Sequence, residues 1–374
     1  MIETEIDASV GAEQAVRGLL RGLLEHGVVE ALLVPVEVAG GSVAPMLVRE
    51  VGVLQRAAPL APVMPINGAR AVQALTMTGH RQKLGVVLRS CEVRALVELV
   101  KFQQAKLEDV VIIGVDCLGT FGVEEWQQAA VSKQQVMEGL LAGAVSGDLK
   151  PQAGMEFRTA CQMCEQPVPA GEHVALTIGL IGVEPGKLFL KAWDDVAQAL
   201  SLSAGSQPAG RVQVVEKLIA ARTATRDRVF AGYRERVSSM EGLLEEFGRC
   251  IRCHNCMINC PICYCRECIF RTPTFEHESE LFYQWAERKG SVRMLPDTLL
   301  FHLTRLNHMV TSCVGCGMCT DACPAGIEVG TVFRAVGEKV QALFEYHPGR
   351  SLGEAAPVQE FREDELRDLG ERPH

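Results

Sequence analysis

Two runs of cysteine in this chain repeat the pattern C-x2-C-x2-C-x3-C-P. The first is Cys250, Cys253, Cys256 and Cys260 with Pro261, and the second is Cys313, Cys316, Cys319 and Cys323 with Pro324. Thiolates at this spacing wrap a loop of chain around a cube of iron and sulfide. Where two clusters are present, the fourth cysteine of each run ligates the other cluster. The pattern therefore assigns Cys250, Cys253, Cys256 and Cys323 to one [4Fe-4S] cluster, and Cys260, Cys313, Cys316 and Cys319 to a second. Structural zinc is the rival chemistry, but four-cysteine zinc sites are usually built from two separated CxxC knuckles. Disulfides require an oxidising compartment.

Three further thiols follow the first run at once, in the stretch CPICYCRECIF: Cys263, Cys265 and Cys268. Such density favours metal over chance packing, and four readings stay open. The three could join a further cluster with a fourth ligand from elsewhere or from a partner. They could hold zinc with a histidine such as His254. They could exchange with one of the eight motif cysteines, or they could be plain thiols packed nearby.

The remaining cysteines lie upstream. Cys91 follows the apolar run LGVVLRS, Cys117 follows DVVIIGVD, and Cys161 and Cys164 form a CxxC in TACQMCEQ. If the two runs are neighbouring parallel strands, both strand ends open on one edge of the sheet, where α/β folds place ligands. Four cysteines there could close a third cubane. The alternative is buried free thiols, which behave as small apolar side chains.

These residues need elements to hold them. Residues 12–26 place Val16, Leu19, Leu20, Leu23 and Leu24 on one helical face, and ALLVPVEV follows as a strand. LGVVLRS, the helix-forming EVRALVELVKFQQAK and DVVIIGVDC then alternate as strand, helix, strand, which predicts a βαβ unit. HVALTIGLIGV adds a further strand, and SLSAGSQPAGR at 201–211 reads as a linker. Beyond it the pattern is helical. Ser238 with Glu241 fits a capping box, and Met240, Leu243, Leu244 and Phe247 form an apolar face leading into Cys250. Residues 295–310 also read as a helix. The expected organisation is an α/β domain with a mainly parallel sheet over 1–200, a linker at 201–212, an α-helical ferredoxin-like iron–sulfur domain over 213–350, and a charged tail over 351–374.

Composition narrows the function. The chain has 374 residues, a formal net charge of -9 and 48% hydrophobic residues, so it is globular and acidic, with a surface suited to docking on a basic patch of another subunit. No basic run points to a nucleic-acid partner. The start, MIETEIDASV, lacks a charged-then-apolar leader, and no segment offers ~18 uncharged apolar residues, so no membrane span and a cytoplasmic location are expected. No G-x-G-x-x-G follows a strand, and no Walker loop, paired carboxylates or serine–histidine arrangement stands out. PINGARAVQAL could lead into a helix N-terminus that receives a phosphate, or into a plain helix cap. His302 and His308 read as ordinary helix residues.

The segments RSCEVRAL, IIGVDCLGTF and TACQMCEQP with TIGLIG resemble the β subunit family of coenzyme F420-reducing hydrogenases and formate dehydrogenases. The resemblance covers roughly residues 10–345, and CPICYCRECIF is similar to formate dehydrogenase-type β subunits. It implies that Cys91, Cys117, Cys161 and Cys164 ligate a cluster, and that a flavin, FAD, exchanges electrons with the clusters. The family's glycine-rich start to the first helix is replaced here by VGAEQAVRGLL. The helical gap of some fifty residues between the two cysteine runs resembles the ferredoxin domains of succinate dehydrogenase and heterodisulfide reductase subunits.

The expected function is an electron-transfer subunit of an anaerobic oxidoreductase complex, joining a flavin to [4Fe-4S] clusters. Its expected partner is the catalytic subunit of a formate dehydrogenase or hydrogenase, or a heterodisulfide-reductase-like subunit, in a hetero-oligomer. One alternative is a flavin-free adaptor that only conducts electrons between subunits. A zinc-stabilised scaffold is the other, and metal analysis separates it from both.

Overall fold

The computed structural model describes residues 1–360 and 363, apart from 80, 81, 130, 131, 153, 277, 292, 293 and 296. The charged tail expected at 351–374 lies mostly outside the described residues. The chain divides into two compact units. The first is Met1–Arg228 with Val314–Gly317 and Gly349–Glu354, and the second is Val229–Cys313 with Met318–Pro348 and the chain from Ala355 on.

The first unit is built on one sheet of β1 (Ile2–Asp7), β2 (Ala31–Val38), β3 (Ser42–Val48), β4 (Leu84–Arg89), β5 (Val110–Val115), β6 (Val174–Gly179) and β7 (Lys187–Ala192), in the order β1-β7-β6-β5-β4-β2-β3. The strands read from sequence, β2, β4, β5 and β6, are its parallel centre. β4 and β6 are buried at every position, so both sheet faces are covered there, which is why these strands read as unbroken apolar runs. The edges differ from the expected pattern, because β3, β7 and β1 pair antiparallel. The cause is connection length: only Ala39–Gly41 separates β2 from β3, and parallel neighbours need a crossover of a dozen residues or more. β1 alternates isoleucines with polar residues, and its Glu3 and Glu5 meet Lys191 and Lys187 of β7. Charges on an edge strand discourage pairing with other chains.

Helices α1 (Ala12–Glu25), α2 (Gly68–Met77), α3 (Ser90–Lys101), α4 (Val123–Gln128), α5 (Lys133–Ser146), α6 (Thr159–Gln162) and α7 (Asp194–Ala199) complete this unit. α1 buries Val16, Leu19, Leu20 and Leu23, the face that its periodicity predicts. Each such side chain contributes about 1.5–3 kcal/mol on full burial.

The continuous N-terminal part of the first unit runs past the segment at 201–212 into α8 (Arg211–Arg236), as far as Arg228. Polar anchors bind this part of α8. Arg211 pairs with Asp116 at 2.8 Å, both side chains being almost fully buried, and Asp116 also accepts from the backbone N–H groups of Leu180 and Ile181. Arg222 donates to the carbonyl of Leu118, and Arg226 pairs with Glu165.

The second unit carries α9 (Met240–Phe247), α10 (Asn255–Ile258), α11 (Ser279–Lys289), α12 (Thr298–Met309), α13 (Met318–Asp321) and α14 (Val329–Leu343). The cap of α9 is Ser239, one residue beyond the expected Ser238, and its hydroxyl accepts from Gly242 N–H. Of the expected apolar face of α9 only Phe247 is buried, while Met240 and Leu244 are exposed. No helix among the described residues is long and apolar enough to cross a membrane.

Candidate metal centres

In the first unit the sheet does the positioning. β4 and β5 pair in parallel register with Arg89 beside Val115, so Cys91, in the first turn of α3, and Cys117, just after β5, leave the sheet at one edge. The amide of Cys117 donates to Pro167 at 2.8 Å, which draws the CxxC loop onto the end of β5. Thr120 Oγ1 lies 3.1 Å from Cys161 Sγ, and the amide of Cys164 donates to the carbonyl of Cys161. The four sequence-predicted cysteines are therefore brought together.

Their electrostatics record the same proximity. Burial first, then Cys161 and Cys164, push the Cys117 thiol up to about 12 against Arg89 and Arg222. Burial also raises Cys91 well above the ordinary thiol range, reinforced by Glu92 and by Cys117, Cys316 and Cys164. Cys316 belongs to this unit through the 314–317 segment, where Arg94 donates to Val314 O and Arg158 Nη2 donates to Cys316 O at 3.0 Å. Thiols raised in this way stay protonated unless a cation compensates the thiolates, and metal binding displaces those protons. The donor set fits an iron–sulfur cluster.

The nearby N-terminus of α2 does not fit a phosphate. Gly68 N donates to Glu92 Oε1 at 2.8 Å, and Ala69 N donates to Asn67 Oδ1 at 3.1 Å. Glu92 also accepts from Arg89 N, so one buried carboxylate closes the starts of both α2 and α3. Gly68 permits this approach, since a Cβ there would sit 2.6 Å from Leu88 Cδ2 and 3.0 Å from Glu92 Oε1. A plain cap, with an anion already in place, accounts for PINGARAVQAL.

In the second unit the first run folds as a loop into α10. Cys250 and Cys256 are raised by burial first, then by charges on Cys253 and Cys323, with Cys256 reaching about 11. The set expected for one cluster, Cys250, Cys253, Cys256 and Cys323, is thus gathered in the fold. N–H groups surround its sulfurs: Arg252 N lies 3.4 Å from Cys250 Sγ, Ile327 N 3.4 Å from Cys323 Sγ, and Arg305 Nη1 3.1 Å from Cys256 Sγ. Such hydrogen bonds are among the terms that set cluster potentials.

His302, unremarkable in sequence, is 1% exposed, and its Nε2 lies 3.3 Å from Cys250 Sγ. Burial, with Arg305 and His254 nearby, lowers its pKa to about 3, so the imidazole is neutral, and its Nε2 shares a hydrogen bond with Cys250 Sγ. Its ring stacks on Phe247 and also lines an apolar cavity of about 400 Å³ with Leu306 and Val332. His308 is exposed.

The backbone of the loop is equally specific. Arg252 and His254 adopt φ of 54° and 63°, and the matching positions of the second run are Gly315 and Gly317 at 72° and 75°. Left-handed residues interspersed in a loop turn successive N–H groups inward, a concavity that binds anions and iron–sulfur centres. Among the second set, Cys260 and Cys319 both act on Arg305, and the carbonyl of Cys313 accepts from Gln341 Nε2.

The three extra thiols are placed differently from one another. Cys263 is half-buried and raised to about 11 by burial and then by Cys260. Cys265 is exposed, and Cys268 Sγ lies 3.8 Å from Met257 Sδ. Among the described residues no three of Cys, His, Asp or Glu converge as around a single ion. A cubane, by contrast, gives each thiolate its own iron and spaces the sulfurs apart.

Sequence reasoning missed Arg89, Arg222, His302 and Arg305 as parts of these sites. For the last two a signal was present. Phe301, His302, Arg305 and Met309 are the buried face of α12, so polar residues stand where the helical period calls for apolar ones.

A family model described as a 4Fe-4S dicluster domain matches residues 246–327. The β subunit of an F420-dependent formate dehydrogenase from Methanocaldococcus jannaschii is 28% identical over 295 residues, which are 72% of this chain and 74% of that relative. The β subunit of F420-dependent formate dehydrogenase 1 from Methanococcus maripaludis is 25% identical over 315 residues, 74% of this chain and 77% of its own length. Among solved structures, the F420-reducing [NiFe] hydrogenase complex from Methanosarcina barkeri gives a TM-score of 0.45 at 12% identity, covering 64% of this chain and 93% of the matched chain. The curated relatives are thus β subunits of F420-dependent formate dehydrogenases, as the resemblance in the sequence implies.

Proposed function

We propose that this chain is an iron–sulfur electron-transfer subunit of an oxidoreductase complex, of the kind its formate dehydrogenase β relatives represent. The observation that carries the reading is the convergence of Cys91, Cys117, Cys161 and Cys164 at one sheet edge, in a chain whose dicluster match supplies two further cluster sites. Cys250, Cys253, Cys256 and Cys323 would hold one [4Fe-4S] cluster, and by motif spacing Cys260, Cys313, Cys316 and Cys319 would hold another. The clusters supply one-electron storage and transfer. The chain's own residues would supply thiolates and direct N–H donors at Cys250, Cys256 and Cys323, and Cys256 is buried. Cys263 sits beside the motif cysteines, Cys265 faces solvent, and their ligand role, with that of Cys268, is part of the proposal to be tested.

The finer reading adds FAD, a catalytic formate dehydrogenase, hydrogenase or heterodisulfide-reductase-like partner, and a cytoplasmic location. A second reading, a flavin-free adaptor, is supported by the N-terminus of α2, whose first amides are taken up by Glu92 and Asn67. Anaerobic purification followed by iron analysis and flavin absorbance separates the two. Three cubanes require about twelve irons per chain, four each. Cys117→Ser is expected to remove about four of them and leave the motif clusters' spectra in place. Unchanged iron in that variant would refute the upstream cluster, and zinc in place of iron would refute the electron-transfer reading altogether.

A further inference from the structure

Arg305 is 3% exposed, in the middle of α12. A buried guanidinium is costly unless an anion compensates it. Among the described residues no carboxylate pairs with Arg305. Its Nη1 donates to Cys256 Sγ at 3.1 Å and its Nη2 to Cys256 O at 3.0 Å, a two-pronged grip on one cysteine. Cys260 Sγ lies 4.0 Å from Met309 Sδ, one turn along α12 from Arg305, and thiolates at Cys256, Cys260, Cys319 and Cys263 would each favour its charge. Cys256 belongs to the first cluster set, and Cys260 and Cys319 to the second. The guanidinium also lies over the rings of Phe301 and Phe333, at 5.5 and 5.1 Å, so its dry flank is aromatic.

We propose that Arg305 is a positioning cation shared by the two motif clusters, compensating the thiolates of both and favouring the reduced state of each. The proposal rests on the cluster reading given above. Reduction adds one electron, and so one negative charge, to a cluster. A fixed positive charge in a dry surrounding stabilises that added charge, and cluster potentials respond to net charge and to hydrogen bonds at sulfur. Arginine suits the role because it stays charged when buried and offers a planar fork of donors. The cluster that includes Cys256, which takes the direct hydrogen bond, is the more strongly affected.

The test is a redox titration followed by electron paramagnetic resonance, on the full chain purified anaerobically, with iron counted in each sample. Arg305→Gln keeps a hydrogen-bonding side chain and removes the charge. It is expected to shift the reduction equilibrium of the Cys256 cluster about tenfold toward the oxidised form, about 59 mV for one electron, with a smaller shift in the same direction at the second cluster. Arg305→Lys restores the charge and is expected to recover more than half of that shift. Full iron in Arg305→Gln with unchanged potentials overturns the proposal. If Arg305→Gln loses iron, Arg305→Lys decides: wild-type iron and a near wild-type potential support a charge role, and loss of iron in both variants overturns it. Wild-type chain without iron would instead refute the cluster reading itself.

Discussion

Twelve of the cysteines reach their places by two different routes. The eight motif cysteines sit in short loops whose spacing already matches a cubane. The four upstream cysteines stand up to 73 residues apart, from Cys91 to Cys164, and meet because β4 and β5 are neighbours and the CxxC loop is tied to the end of β5. The first route is local, and the second depends on long-range strand pairing. A second contrast lies inside the local route. The two runs share spacing and left-handed positions, yet one uses Arg252 and His254 where the other uses Gly315 and Gly317. A side chain at positive φ costs roughly 1–2 kcal/mol. The first run offsets that cost with contacts, since Arg252 pairs with Asp297 and His254 lies against Phe301. The second run has no room for a side chain at Gly317, where a Cβ would lie 2.4 Å from Ala160 Cβ. The same backbone is reached by tolerated strain in one loop and by absence of side chains in the other.

The largest expected effect breaks the long-range route. Asp116 adjoins Cys117 and holds Arg211 and the amides of Leu180 and Ile181. Asp116→Ala leaves Arg211 buried without its anion and is expected to cost about 3–5 kcal/mol. Denaturant titration followed by tryptophan fluorescence measures the loss. Iron analysis should show the proposed upstream cluster depleted before the proposed motif clusters, and equal depletion of all three would remove the distinction between the two routes.

The next two substitutions exchange the two loops' solutions. Gly317→Ala combines a left-handed alanine with a clash and is expected to destabilise by about 2–4 kcal/mol. His254→Gly relieves strain while losing a ring contact, so its net change is expected within about 1 kcal/mol of zero. Both are read as shifts in denaturation midpoint, and comparable losses in the two variants would show that the loops do not differ as described.

The smallest effect is a pH slope specific to the sheet unit. His173, next to β6, is buried with neither ring nitrogen partnered among the described residues, and burial lowers its pKa against a weaker opposing effect of Glu172. Above the unfolded value of about 6.5 the ring is neutral in both states. As pH falls below that value the unfolded chain gains the proton first, so stability declines until pH reaches the lowered folded value. The denaturation midpoint of the first unit is expected to fall between pH 7 and 5, and His173→Gln is expected to flatten that part of the curve. An equal slope in both proteins would assign it to other groups.

Much of this was legible in the sequence. The parallel strands read as apolar runs because they are covered on both faces, and α1 showed its buried stripe. The edge strands were not legible: β1 carries acidic residues, and β3 breaks its alternation with Pro45 at an edge, where proline is tolerated. The segment at 201–212 has linker composition, yet the compact unit continues through Arg211, because one buried ion pair outweighs local flexibility.

The sequence by itself determined the spacing of the motif loops, which matches a 4Fe-4S dicluster domain because that pattern is local along the chain, and it placed a cysteine after each of two core strands. Only the tertiary structure decided that those strand ends adjoin, that Glu92 closes the helix start where a phosphate was one expectation, and that His302 and Arg305 turn toward cysteine sulfurs. The physical reason is range. Spacing and periodicity are local and can be read from neighbouring letters, whereas the surroundings of a buried charge are set by residues tens to hundreds of positions away.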